Sequence, residues 1–487
     1  MNNELLNLQP SKVWYYFSEI LKIPRPSKKE EKIAAYIKDF GKKHNLETLE
    51  DEVGNILIRK QASKGRGNMV PVILQSHIDM VCEKNEDTVH DFNQDPIQAY
   101  IDNGWVKARG TTLGADDGIG IATQLAILAS EDIEHGPMEC LFTVDEETGL
   151  TGAFGLKAGF LNGKILLNLD SEDEGQLFIG CAGGRDTVAE IQTGWLTTPE
   201  NHQAFRIKVS GLLGGHSGDD INKGRGNANK ILNRVLWDAS NTLGALVATF
   251  EGGNLRNAIA REASATVMVP DKQAANLKKL TENYDQAIKK ELHISDPGVK
   301  IQIEETNQPE RVLDTITQAA LINSVYACPH GVIAMSQDIK DFVETSTNLA
   351  SVKTGSDAII ITTSQRSSVD SAKTDICNMV ASVFRLVNAR ITHSDGYPGW
   401  TPDPNSRIVE ITRQAYTDLF GEEPKVLAIH AGLECGLIGD KYPGMDMISY
   451  GPTLRGVHSP DERLEISTVT KFWDLTLEVL KRIPEEK

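Results

Sequence analysis

The usual signatures of several enzyme chemistries are missing from this sequence. It has no H-E-x-x-H pair, no G-x-S-x-G elbow, no G-x-x-x-x-G-K-[ST] loop and no G-x-G-x-x-G turn. Zincin, serine-hydrolase, nucleotide and dinucleotide readings therefore have no motif to stand on. The six cysteines, at 82, 140, 181, 328, 377 and 435, include no C-x-x-C pair, which argues against a thiolate zinc site or a disulfide framework and for reduced, mostly buried thiols. Positive charge is scarce. A formal net charge of −18 speaks against nucleic acid or an anionic membrane as partner, since both need clustered Lys and Arg. No apolar run approaches the roughly 20 residues of a membrane span, and residues 1–9 carry no basic leader, so a cytoplasmic protein is expected.

What is present fits a large α/β protein. With 487 residues, more than one core is expected. Helix-like periodicity over 11–24 and 28–45 is split by Pro24 and Pro26, and 53–59 and 70–76 read as strands. The segments 70–76 (strand), 119–130 (helix), 139–144 and 164–169 (strands) follow the order of a sheet covered by helices. Polar residues follow the strands: His77 and Asp79, then Asp145 to Glu147, then Asp170. In open α/β sheets ligands sit outside the carboxyl ends of strands, so these groups are expected to share one crevice.

From about 187 the pattern changes to strand-like 204–210 and 245–251 and amphipathic 224–241 and 273–291, which reads as an inserted α+β domain. Its order of helix, two strands, helix and strand over 224–305 recurs over 311–396, suggesting two similar subdomains. Gly396, Pro398 and Pro402 mark a return linker, followed by helix-like 406–420 and 467–482. The expected division is 1–186 and 397–487 for a catalytic domain in two parts, with 187–396 as a lid between them.

Each short motif at the strand ends is weak alone, because H-x-D and D-E-E are common in solvated turns. Together with Asp116 and the distant His458, however, they would crowd several carboxylates into one cleft, raising their pKa values at a cost that divalent cations remove. There are too many candidate ligands for one tetrahedral ion, and a carboxylate can bridge a pair of ions. Asp116, on a Gly-flanked loop that opens a helix, is placed to bridge, and Asp79 to sit behind His77 and hold its ring. Adjacent Glu146 and Glu147 suggest one ligand and one general base.

The segments S-H-I-D-M-V, G-A-D-D-G-I-G-I-A, D-E-E-T-G, L-N-L-D-S-E and G-V-H-S-P-D-E-R resemble, in order and over nearly the whole length, the carnosinase and aminoacylase zinc metallopeptidases, and within them the branch that cleaves Xaa-His dipeptides. The resemblance implies a zinc-exopeptidase-like mixed sheet with an α+β lid. It implies two Zn2+ per chain, which Co2+ or Mn2+ could replace. Asp116 would bridge them, with His77 and Asp170 completing one site and Glu147 and His458 the other. Asp79 would orient His77, Glu146 would be the general base, and a cis peptide would follow Asp116. In the lid, His216 of G-G-H-S-G would stabilise the oxyanion, while Arg366, Asn257 and Gly432 would meet the substrate. His430 and Glu434 receive no role. The expected activity is hydrolysis of dipeptides such as β-alanyl-histidine, with a small peptide as partner, as a homodimer whose lid motion gates turnover. The rivals are an N-acyl amino acid deacylase of the same family and a non-catalytic peptide- or metal-binding relative.

Overall fold

The computed structural model of the chain describes residues 4–403 and 405–486, which form two compact units. The first comprises 4–180, 402–403, 405–428 and 433–486, and the second 181–401 with 429–432. None of the six cysteines forms a disulfide; five are buried and Cys82 is half-buried. Among the described residues no helix is long and apolar enough to cross a membrane.

The first unit is organised by an eight-stranded sheet, in the order Glu47–Glu50, Ile56–Lys60, Met138–Thr143, Val72–His77, Ile165–Asn168, Asp446–Ser449, Gln176–Cys181 and Lys425–Ile429. Val72–His77 runs parallel to both its neighbours, and all three strands are buried along their whole length, as expected for parallel strands covered on both faces. One cover is the helix Ala115–Leu128, rich in Ala, Ile and Leu and buried almost all round, which packs against Ser11–Ile20. Removing a fully buried side chain there, as in Leu125→Ala, should cost about 2–5 kcal/mol.

Several expected boundaries move inward, two of them for a clear local reason. The first helix ends at Ile20 rather than near Pro24, whose ring disfavours helical backbone before it. The second strand begins at Ile56 because Asp51 accepts the amide hydrogens of Val53 and Asn55 in a turn completed by Gly54 at φ +99°.

The second unit is built on an antiparallel sheet ordered Lys300–Glu305, His202–Ser210, Ala263–Pro270, Leu246–Gly252, Val343–Thr354, Ala358–Ser367, Gly183–Gln192 and Arg390–His393. The four strands on one side mirror the four on the other. Each half runs strand, helix, strand, strand, helix, strand, with helices Ala228–Leu243 and Ala274–Glu291 in one and Thr315–Ala327 and Asp370–Arg385 in the other. The repeat expected from 224–305 and 311–396 thus has a spatial counterpart, though the halves are not identical. The first half is inserted after the first strand of the second, and Gly331–Met335 pairs along Val343–Thr354. Within the sheet the halves pair at Glu251 with Lys353 and Gly252 with Val352, and they share an apolar core that includes Phe205, Leu232, Leu349 and Phe384.

Candidate metal centre

The carboxyl ends of the three central strands of the first unit carry the groups of interest. His77 ends its strand with Thr143 opposite it in register, Asp145–Glu147 follow Thr143, and Asp170 follows the third strand. Asp116 lies at the mouth of the helix Ala115–Leu128 with non-helical backbone (φ −81°, ψ 113°), followed by a cis peptide to Asp117.

Asp116 stands between two histidines. Its Oδ1 lies 3.1 Å from His77 Nε2, and its Oδ2 lies 3.3 Å from His458 Nε2. His77 Nε2 also approaches Asp170 Oδ1 at 3.6 Å, and His458 Nε2 approaches Glu147 Oε2 at 3.0 Å. Two sets of three result, His77–Asp116–Asp170 and Asp116–Glu147–His458, each with ligand atoms within 4.8 Å of one another. A third grouping joins His77 with Glu146 and Glu147.

These donors suit divalent cations. Glu147 Oε1 is buried with no hydrogen-bond partner, an acceptor that a cation would satisfy. Burial first, and then neighbouring carboxylates, push the acids of Asp117, Asp170 and Glu146 well above the usual carboxylate range. Burial would lower His77, but Asp170, Asp116 and Asp79 hold it well above its ordinary value. Hydrogen bonds with Asp116 and Glu147 raise His458 to about 11. Without cations the cluster gathers protons, and a cation would displace them.

Asp79, wholly buried, supports this arrangement. Its Oδ1 lies 3.2 Å from His77 Nδ1 and accepts the Glu146 amide at 3.0 Å, while Oδ2 accepts the Glu147 amide at 3.2 Å and the Ser27 hydroxyl at 2.7 Å. Burial alone would raise its pKa, but these donors bring it down to about 2. Another acidic group, Glu30 with Asp79 and Asp145, is a hydrogen-bonded cage. Glu30 accepts the amides of Lys28 and Asp145, and Asp145 accepts the hydroxyls of Thr148 and Thr151.

The remaining sequence candidates lie in the second unit. His216 is partly exposed, with Nδ1 3.3 Å from Asp219 Oδ2 and Nε2 3.4 Å from Arg366 Nη2. Arg366, only 7 % exposed, donates to the Tyr397 hydroxyl at 3.0 Å and keeps its Nε without a partner. Asn257 is exposed, and its carbonyl accepts the Ser217 amide at 2.8 Å, pinning the loop of His216. Gly432 faces the Tyr397 ring, where a Cβ would lie 2.9 Å from Cε2. His430 Nε2 lies 2.7 Å from Ser346 Oγ, and burial followed by the Arg366 charge lowers its pKa to about 3, so it is neutral.

Three buried charges of the first unit escape a reading by motif. Glu434, 1 % exposed, accepts from Gln75 at 2.6 Å and Thr143 at 2.8 Å, and burial raises its pKa to about 7. Arg25 and Glu462, each 2 % exposed, bind backbone atoms of the loops that carry His77, Asp79 and Asp116. The available signal was the placement of an ionised residue in I-P-R-P-S and in S-P-D-E-R, segments otherwise suited to turns.

Comparison with known proteins agrees with this chemistry. The chain is 44% identical over 482 residues, 99% of both chains, to the cytosol non-specific dipeptidase of Escherichia coli (strain K12). It matches the crystal structure of aminoacylhistidine dipeptidase from Vibrio alginolyticus with a TM-score of 0.92 at 44% identity, covering both chains fully. A tripeptidase from Staphylococcus aureus shares the fold at a TM-score of 0.58 and 16% identity, over 98% of this chain and 99% of its own. Residues 73–482 match Peptidase family M20/M25/M40, and the chain belongs to that family.

Proposed function

We propose that this chain is a two-zinc dipeptidase that hydrolyses Xaa-His dipeptides, including β-alanyl-histidine. The observation that carries this reading is Asp116, whose two oxygens address two different histidines, each with its own further carboxylate. That is the donor set of a bridged pair of cations. His77, Asp116 and Asp170 would hold one ion, and Asp116, Glu147 and His458 the other. Bound there, the pair would polarise the scissile carbonyl and lower the pKa of water. Asp79 fixes the ring and tautomer of His77 through Nδ1, leaving Nε2 to ligate. Glu147 takes the ligand role because it faces His458, and Glu146 the general base. Glu146 would accept the proton of the attacking water and pass it to the leaving amine, work suited to a carboxylate grouped with His77 and Glu147.

Arg366 suits the substrate carboxylate, because it is buried and, among the described residues, has no carboxylate in ion-pair contact. His216 would stabilise the oxyanion, with Asn257 and Gly432 as further substrate contacts. The relatives' names support a dipeptide substrate and a cytosolic setting. Zinc and a homodimer rest on the sequence resemblance.

The test is hydrolysis of β-alanyl-histidine, other Xaa-His dipeptides and N-acetyl amino acids by chelator-stripped protein, before and after zinc is added. Turnover of the dipeptides that returns only with metal is the expected result. Activity confined to acetylated amino acids, or metal uptake without any hydrolysis, would overturn the assignment.

A further inference from the structure

We infer that Arg25 and Glu462 are positioning residues, one for each half of the metal centre, that set the bridging loop before any cation binds. The inference rests on the two-cation reading above, and begins from the loop 113–116. The backbone is non-helical at Asp116 and Asp117, so the amides of 113–116 lie in a loop ahead of the regular helix and need acceptors of their own. Glu462 supplies the acceptors from 346 residues away. Its Oε2 accepts the amides of Leu113 at 2.7 Å and Gly114 at 2.9 Å, and its Oε1 those of Ala115 at 2.7 Å and Asp116 at 3.3 Å.

The same residue closes the loop that carries His458. The Glu462 amide donates to Ser459 O at 3.0 Å, and the Ser459 hydroxyl to Gly456 O at 2.7 Å, so His458 sits in a turn anchored at Glu462. Glu462 thereby joins the two loops that bring Asp116 Oδ2 and His458 together.

Arg25 does the corresponding work on the other side. Its Nη1 donates to Ile78 O at 3.1 Å and to Asp79 O, and its Nη2 donates to Gly114 O. The guanidinium therefore ties the segment holding His77 and Asp79 to the loop holding Asp116. Gly114 at φ +70° leaves room for it, since a Cβ there would lie 2.8 Å from Arg25 Nη2. Neither charge reaches a ligand side chain. Both act on main-chain groups, and they meet the loop from opposite polarity: Glu462 takes its amides and Arg25 its carbonyl.

The division of labour is testable with Co2+ and Zn2+ in metal-buffered equilibrium dialysis, together with the visible spectrum of the cobalt protein. Wild type should bind two ions per chain. Glu462→Gln offers an oxygen to one pair of amides and an NH2 to the other. It should bind one ion about 10–100-fold more weakly while keeping the second, and Arg25→Lys should do the same to the opposite ion. In a His458→Ala background, Glu462→Gln should change the affinity of the remaining ion no further, whereas Arg25→Lys should still weaken it. Thermal melting of metal-free protein reports folding, and Glu462→Asp, which keeps the charge but shortens its reach, replaces Glu462→Gln should the latter not fold. Folded variants that bind both ions with wild-type affinity, or that weaken the same ion, would overturn the inference. Wild type binding fewer than two ions would instead overturn the two-cation reading, and the paired clamps with it.

Discussion

The two units handle charge differently. In the first, Asp79, Arg25 and Glu462 each engage several named donors or acceptors, most of them main-chain groups. In the second, Arg366 has a free Nε, and His216 is part exposed on a loop held by the carbonyl of Asn257. A rigid, over-determined scaffold suits groups that must hold cations at fixed spacing, and uncommitted groups suit contact with something that comes and goes. Substitutions of the metal-centre residues in the first unit should therefore act on metal content and kcat, and replacement of Arg366 in the second on KM.

The strongest challenge to this contrast is Glu146→Ala. It should lower kcat by about 10²–10⁴-fold while metal content, read by elemental analysis, stays at wild type. A loss of metal would make Glu146 a ligand.

A smaller effect concerns Glu434, the buried acid of the first unit that ligates nothing in the proposed site. Its folded pKa of about 7 lies above the usual 4.5, so the folded state holds its proton more tightly than the unfolded state. The resulting stability is present below about pH 4.5 and is lost as pH rises through 7, by about 3 kcal/mol in metal-free protein. Glu434→Gln keeps an oxygen for Gln75 and Thr143 and should remove this decline in urea unfolding between pH 4.5 and 7. An unchanged slope would mean that the proton is held elsewhere.

Next comes Asp79→Asn, which leaves His77 less firmly oriented and should weaken metal binding about 10–100-fold in competition with a chelator. Arg366→Lys should be smallest. Loss of the fork should raise KM for dipeptides about tenfold, with bound metal and kcat nearly unchanged. If metal content fell instead, the division between the units would fail.

How far the sequence could be read follows from where each residue acts. His77, Asp79, Asp116, Glu147, Asp170 and His458 work through side chains at strand ends and turns, in short segments whose residue types announce a possible ligand. Glu434 lies in a Gly-rich stretch that gives no hint of the strand Lys425–Ile429 before it or of a helix starting at that residue. Arg25 and Glu462 show only as charges in turn-like segments, because they act on main-chain atoms and no sequence pattern records which amides a distant carboxylate will meet.

By itself the amino-acid sequence determined that apolar runs alternate as an α/β sheet, that its strand ends carry acids and histidines, and that a differently patterned segment interrupts it. These are local properties, set by side-chain periodicity and turn chemistry. Only the tertiary structure decided that Asp116 stands between two histidines 381 positions apart in the chain, since His77 and His458 meet through parallel strand pairing and a loop tied back by Glu462. It also decided that the inserted segment folds as one half threaded into another, because strand neighbours are chosen by burial of a shared core rather than by order along the chain.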